Sequence, residues 1–209
     1  MKTLKNYILE AFKINKNTKL KKYNYFPEST IELQQIIIQK YNENEKQIDV
    51  SDIDISKLTD LNHVFAECVK LEHIIGLETW DVSHIKYFNS LFMKCFRLQE
   101  VDGTKNWNII KGVSFIDMFD RCGCLKSIDV SNWDMSNAKI IDNMFCGCSK
   151  LIEIKGLENW NLDKCIDFDD AFEGSIKIKE LKIKSWEKYF QNEEEMITVL
   201  SISNTTKIV

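Results

Sequence analysis

Large apolar residues recur along the chain with a period of 26 to 27 residues. Tryptophans follow one another at intervals of 27, 26, 27 and 26, at Trp80, Trp107, Trp133, Trp160 and Trp186. Phenylalanines follow at intervals of 27, 27, 26 and 27, at Phe65, Phe92, Phe119, Phe145 and Phe172. Two aromatic series with one period predict a solenoid, because a single repeat of this length buries its apolar side chains only by stacking on its neighbours.

Within each repeat, the polar and apolar positions predict one strand, one turn and one helix. The strand is predicted at an apolar pair, which is Leu71 and Ile74, Leu98 and Val101, Leu125 and Ile128, Leu151 and Ile154, or Ile178 and Leu181. A turn then leads to the tryptophan, and a compact helix ends near a Phe-x-x-Cys segment. The sequence therefore predicts an α/β solenoid of about five repeats over residues 47–186, opened by a half-repeat with Ile48 and Ile53.

A short polar side chain follows four of the tryptophans, as Asp81, Asn108, Asp134 and Asn161. Its oxygen can accept a hydrogen bond from a backbone N–H two or three residues on and so turn the chain into the predicted helix. Ser56, Ser83 and Ser136 can share this task. The alternative is a row of calcium ligands, although the two asparagines lower the negative charge that such a row requires.

The repeats are flanked by two predicted caps. Residues 23–46 predict a helical N-terminal cap, in which Ser29 or Thr30 caps a helix that runs to about Tyr41. Residues 187–209 predict a C-terminal cap that covers the exposed core of the last repeat, as the ends of a solenoid require.

Residues 1–22 differ from the rest because they carry seven lysines and one glutamate. Their apolar residues follow a helical spacing, at Leu4, Tyr7, Ile8, Ala11 and Phe12. A terminal helix packed on the cap, a helix on a membrane surface and an address peptide all fit this pattern.

Composition narrows the class of function. The net charge of −4 argues against a nucleic-acid partner for the whole surface. No apolar run reaches the ~18–20 residues of a membrane span, and the N-terminus lacks the apolar core of a classical signal peptide. Seven cysteines in a chain with no classical signal peptide predict reduced thiols and a cytoplasmic protein.

Candidate chemistry is sparse. Four cysteines share one repeat position, at Cys68, Cys95, Cys122 and Cys148, which predicts a buried column. Zinc bound by Cys122-Gly123-Cys124 and Cys146-Gly147-Cys148 is the alternative, but C-x-C is shorter than the spacing of structural zinc sites. The three histidines, His63, His73 and His84, occupy different repeat positions and lie near no motif nucleophile. We therefore expect no enzyme activity, no metal and no cofactor.

The repeated pattern Trp-Asp-x-Ser, followed by Met/Leu-Phe-x-x-Cys-x-x-Leu, resembles the BspA-type leucine-rich repeats found in bacteria and some of their phages. Residues 80–98 and 133–151 carry it most clearly, and the resemblance covers about residues 47–186. The third repeat departs from it at Asn108-Ile109-Ile110, and the fifth has Ser175 where cysteine is expected. The resemblance implies a leucine-rich-repeat solenoid that binds other molecules and catalyses no reaction.

The first twelve residues, MKTLKNYILEAF, resemble the capsid-targeting leader of T-even-type phage internal proteins. Such leaders are cleaved after Leu/Ile-x-Glu, so the resemblance implies processing at Ile8-Leu9-Glu10 with Ala11 as the new N-terminus. It also implies a protein carried in the virion.

Together these patterns predict a non-enzymatic protein-interaction module. It is either a phage-encoded, virion-associated protein or a bacterial recognition or surface-adhesion protein. The predicted binding residues are the strand positions that alternate with the buried ones, namely His73, Ile75, Glu100, Asp102, Ser127, Asp129, Glu153, Lys155, Glu180 and Lys182. Because this surface is acidic in its middle, we expect a basic or polar protein partner and no nucleic acid.

Overall fold

The computed structural model of the protein describes residues 23–209. The predictions made for residues 1–22, including the processing site at Ile8, Glu10 and Ala11, lie outside these residues.

Helix α1 spans Thr30–Glu43 and covers the first repeat. Its N-cap is Ser29, whose side chain accepts a hydrogen bond from the Glu32 N–H, while the Glu32 carboxylate accepts one from the Glu28 N–H. These two hydrogen bonds satisfy backbone N–H groups at the start of the helix. Leu33 and Ile37 are fully buried, so the apolar side of α1 closes the end of the core. The helix ends slightly later than the sequence predicted.

The strands of the described residues form three separate parallel pairs. β1 (Gln47–Asp49) pairs with β2 (His73–Ile75), β3 (Ser127–Asp129) with β4 (Glu153–Lys155), and β5 (Glu180–Leu181) with β6 (Lys207–Ile208). Residues 98–101 were predicted to form a strand and do not, because the 3₁₀ helix Asp102–Thr104 follows immediately after Val101. The pairing of strands in the described residues is therefore interrupted twice along the repeats, between β2 and β3 and between β4 and β5.

A second series of parallel bridges joins the repeats without interruption. It runs from Asp60 to Tyr87, Ser114, Ile140 and Asp167. Each bridge joins positions one repeat apart, so consecutive repeats lie at the roughly 4.8 Å separation of neighbouring strands.

The prediction of a helix before each Phe-x-x-Cys segment is wrong. Residues 61–68 form consecutive turns instead, in which alternate N–H groups donate within the repeat and to the next repeat. The Phe65 N–H donates to the Leu91 carbonyl at 2.9 Å, whereas the Ala66 N–H donates to the His63 carbonyl at 3.1 Å. His63 and Glu67 have φ values of 59° and 63°, a left-handed conformation that no α-helix contains.

One continuous core lies between the strand pairs and the second series of bridges. All five tryptophans and all five phenylalanines of the predicted series are buried, which confirms the prediction that they form the core. Rings of successive repeats stack, with centroids 5.3 Å apart for Phe92 and Phe119 and 5.4 Å apart for Phe119 and Phe145. A further stacked pair, Phe88 and Phe115 at 5.2 Å, lies outside the predicted series.

The C-terminal residues continue the pattern of the repeats. Helix α2 spans Glu193–Val199, and the carbonyl that follows at Leu200 accepts a hydrogen bond from the Phe172 N–H. Met196, Leu200 and Ile202 are buried against the last repeat. The molecule therefore has a repeat fold with few helices and short strands.

Candidate functional site

One surface of the repeats is formed by the strands and the equivalent segment 99–102. We call it the strand face, and it consists of the exposed side chains of residues 46–49, 72–75, 99–102, 126–129, 152–155, 179–182 and 207. In β1, β3 and β4 the central residue, such as Ile128 or Ile154, is buried, while its neighbours point outward.

The predicted binding residues lie in two rows on this face. The strand register places Ser127 beside Glu153 and Asp129 beside Lys155, so residues one repeat apart are neighbours in space. The first row holds His73, Glu100, Ser127, Glu153 and Glu180, and the second holds Ile75, Asp102, Asp129, Lys155 and Lys182.

Salt bridges neutralise part of the acidic middle. The Lys105 ammonium lies 2.7 Å from an Asp129 carboxylate oxygen, and Asp129 also accepts hydrogen bonds from the N–H and hydroxyl of Ser131. The Lys105 contact and then the Ser131 hydroxyl lower the pKa of Asp129 to about 2. Beside them, His73 Nδ1 lies 3.3 Å from a Glu100 carboxylate oxygen. The Asp129 carboxylate is therefore already paired with groups of its own chain.

Shallow grooves open where the strand pairing is interrupted. Between β4 and β5 lies a groove of about 560 Å³, lined among others by Ile152, Lys155, Lys179, Glu180 and Lys182. Beside the segment without a strand lies a groove of about 320 Å³, lined by Asp102, Lys105, Ser127, Ile128, Asp129 and Lys155. Both grooves combine charged side chains with apolar surface.

The prediction missed a third row on this face. These residues stand one position before the first predicted row, and they are Lys46, Glu72, Gln99, Lys126, Ile152 and Lys179. Their spacing of 26 to 27 residues was visible in the sequence, and it could have shown that they share the face. Ile152 is 55% exposed, and Ile75 of the second row is 45% exposed.

The cysteine column is buried core, as predicted. The thiol of Cys122 donates to the Phe92 carbonyl at 3.1 Å, and that of Cys148 donates to the Phe119 carbonyl at the same distance. Ser175, which replaces cysteine in the fifth repeat, donates to the Phe145 carbonyl at 2.7 Å. Burial raises the pKa of Cys68 to about 12, so this sulfur is a protonated thiol and a poor nucleophile.

The residues after the tryptophans form turns. The Asp81 carboxylate accepts from the Ser83 N–H at 3.0 Å, and Asp134 accepts from the Ser136 N–H at 2.9 Å. Asn161 does the same with the Asp163 N–H. The predicted hydrogen bond is therefore confirmed, although the chain continues into a turn where a helix was expected.

The structure brings no candidate metal ligands together. Among residues 23–209, no three histidine, cysteine, aspartate or glutamate side chains are grouped so that they could hold an ion. The three histidines remain at separate positions; His84 Nε2, for example, lies 3.3 Å from the Ile55 carbonyl oxygen. None of the helices in the described part of the chain has the length and apolarity to cross a bilayer.

Comparison with known proteins places the chain in a family. The family model described as "Mycoplasma protein of unknown function, DUF285" matches residues 31–153 and 113–202. The chain belongs to the DUF285 family. This match supports the BspA-type leucine-rich-repeat resemblance of the DUF285 protein. The phage leader resemblance gains no support, since residues 1–12 lie outside the matched region.

One solved structure similar to the DUF285 protein is the crystal structure of a leucine-rich repeat protein from T. pallidum. The two chains share 17% identity over 71% of this chain and 78% of that chain, with a TM-score of 0.39. A search of curated proteins gives no match. The family assignment therefore rests on the family model alone.

Proposed function

We propose that the DUF285 protein is a non-enzymatic protein-interaction module whose strand face binds a protein partner. In this proposal the repeats form a leucine-rich-repeat solenoid of about five units that holds the strand face in shape. The observation that carries it is the pair of grooves at the strand interruptions, on the face where Ile75 and Ile152 are exposed.

The composition of this face favours a protein partner. Charged side chains of both signs surround exposed isoleucines, and protein interfaces combine an apolar centre with a charged rim in this way. A nucleic acid would instead require a surface dominated by lysine and arginine. The opposite side of the repeats, around the Phe-x-x-Cys turns, serves to bury the aromatic core.

The proposal is tested by placing a photo-crosslinking amino acid at single positions of the full-length protein in its native cells. Glu153 and Lys182 report on the strand face, and Lys86 is the matched control because it is exposed on another side of the repeat. We expect discrete protein adducts from positions 153 and 182 and none from position 86. Adducts from the control alone would place the binding surface elsewhere and refute the proposal.

A finer proposal concerns where the protein works. The leader-like residues 1–12 support a phage-encoded protein carried in the virion, and the BspA-type repeats support a cytoplasmic or surface recognition protein of a bacterium. N-terminal sequencing of the protein from purified phage particles distinguishes them. A chain beginning at Ala11 would support the first, and an intact Met1 or absence from particles would refute it.

Deletion of residues 1–10 provides a second measurement. An address peptide is dispensable for folding, so the melting temperature of the deleted protein should stay unchanged. A fall of several degrees would show instead that these side chains belong to the cap on α1.

A further inference from the structure

The charges of the strand face change sign along the repeats. In the first three segments, four carboxylates outnumber one lysine, and these residues are Asp49, Glu72, Glu100, Asp102 and Lys46. In the last segments, four lysines outnumber two carboxylates, and these residues are Lys155, Lys179, Lys182, Lys207, Glu153 and Glu180. We call these the acidic end and the basic end of the strand face.

Salt bridges from Lys46 and Arg97 offset the charge of Glu72, but internal salt bridges leave the rest of this separation of charge in place. At the basic end, Lys179, Lys182 and Lys207 form no salt bridge with any described residue, and neither does Asp102 at the acidic end. Between the two ends, Lys105 pairs with Asp129 and leaves the middle close to neutral. Each end therefore keeps charge that a partner of opposite sign would neutralise.

We propose that the strand face binds a second copy of this chain, antiparallel, about a two-fold axis that crosses the face between segments 99–102 and 126–129. This inference rests on the proposed function, because it takes the strand face as the contact surface. A surface with opposite charge at its two ends is complementary to itself after a rotation of 180°. A second copy is the simplest partner with the required charge distribution.

The exposed side chains agree with this arrangement. The rotation places Asp49 opposite the segment of Lys182, and Asp102 opposite the segment of Lys126. The repeats that expose Ile75 and Ile152 also face each other, which brings their apolar side chains to the same region of the interface. Six segments at about 4.8 Å spacing span roughly 24 Å, so the contact is at the small end of specific interfaces and should be weak and salt-dependent.

Sedimentation of the full-length protein over a range of concentrations provides the test. We expect a monomer–dimer equilibrium whose dissociation constant rises at high salt. Asp102→Lys and Lys126→Glu should each weaken the dimer by about tenfold or more, because each creates like-charge contacts twice across the axis. Lys86→Glu, which changes an exposed lysine elsewhere, is the matched control and should leave the dimer unchanged.

Mixing the two variants tests the antiparallel arrangement itself. A heterodimer of Asp102→Lys with Lys126→Glu has both contacts restored, so the equimolar mixture should associate about as tightly as the unaltered protein. Failure of the mixture to associate overturns the arrangement, and so does an equal effect of Lys86→Glu. Circular dichroism melts establish that each variant is folded.

The outcome separates this inference from the proposed function. A protein that stays monomeric at every concentration, while positions 153 and 182 still crosslink to other proteins, overturns the second copy alone. Crosslinks only from position 86 overturn the strand face as the binding surface, and the dimer with it.

Discussion

At the scale of single residues, one hydrogen bond explains why cysteine and serine share a repeat position. The side chains of Cys95, Cys122, Cys148 and Ser175 each donate to a phenylalanine carbonyl about one repeat earlier. Each of these carbonyls also accepts a hydrogen bond from the backbone N–H three residues on, so the side chain supplies a second hydrogen bond to a buried oxygen. The position therefore favours a small side chain that also donates a hydrogen bond.

We expect Cys122→Ser to be more stable than Cys122→Val. Serine keeps a donor for the Phe92 carbonyl, whereas valine removes this hydrogen bond at a cost of about 0.5–1.5 kcal/mol and leaves the carbonyl with the Cys95 N–H alone. Urea unfolding of both variants measures the difference. If valine were equal to serine or better, the column would be held by apolar packing alone.

The turns of the later repeats hold carboxylates that oppose one another. Burial and then the charges of Asp167 and Asp117 raise the pKa of Asp142 above its ordinary value of 3.8. The folded state therefore holds this proton more tightly than the unfolded state does. Ionisation of Asp142 costs stability as the pH rises through its folded pKa, and the cost is absent below the unfolded value.

Asp142→Asn should therefore raise the melting temperature at neutral pH, and the gain should disappear as the pH falls to about 3. Asp134→Asn is the matched control. The Ser136 hydrogen bonds lower the pKa of Asp134, so its replacement should be neutral or slightly destabilising at neutral pH. Thermal melts across this pH range test both, and an equal effect of the two variants would contradict the assigned cause.

At the scale of elements, the strand-to-tryptophan turn depends on a close approach between repeats. Gly156 has a φ of +96°, and a Cβ there would lie 2.2 Å from Ser131 Cα and 2.4 Å from Ser131 N. The backbone of the preceding repeat occupies that space and cannot yield as a flexible side chain does. Glycine is therefore required both by conformation and by packing.

Gly156→Ala should destabilise the protein by at least about 1–2 kcal/mol through backbone strain and displacement of the neighbouring repeat. Gly123→Ala is the matched control, because its Cβ would meet no atom closer than 3.6 Å and no positive φ is involved. Urea unfolding of the two variants provides the comparison. Equal stability would show that the repeats separate easily at this point.

At the scale of the whole molecule, the repeats share one core, so damage to one should reach its neighbours. Trp133 is 2% exposed, stacks on Trp160, and donates from Nε1 to the Thr104 carbonyl of the preceding repeat at 2.9 Å. Its side chain thus joins three successive repeats.

We expect Trp133→Ala to cost about 3–5 kcal/mol and to weaken both neighbouring repeats. Amide hydrogen exchange should show lost protection around Phe119 of the preceding repeat and Trp160 of the following repeat, as well as at the mutated repeat. Loss confined to residues 126–140 would mean that each repeat is stable by itself.

The sequence by itself determined the repeat length, the buried aromatic residues and the polar turn after each tryptophan. Burial is periodic because each repeat presents the same positions to its neighbours, and the turn at Asp81 or Asp134 is local, since it joins an oxygen to an N–H two residues on. Short-range and periodic features of this kind can be predicted directly from the sequence.

Only the tertiary structure decided three other features. Turns replaced the predicted helix because N–H groups such as that of Phe65 donate to a repeat 26 to 27 residues away, which removes the need for helical hydrogen bonds. The strand face is divided, and its grooves open, where consecutive repeats fail to pair. The pairing of Asp129 with Lys105 likewise depends on how one repeat lies on the next. These contacts join distant residues, and their geometry exists only once the repeats are stacked.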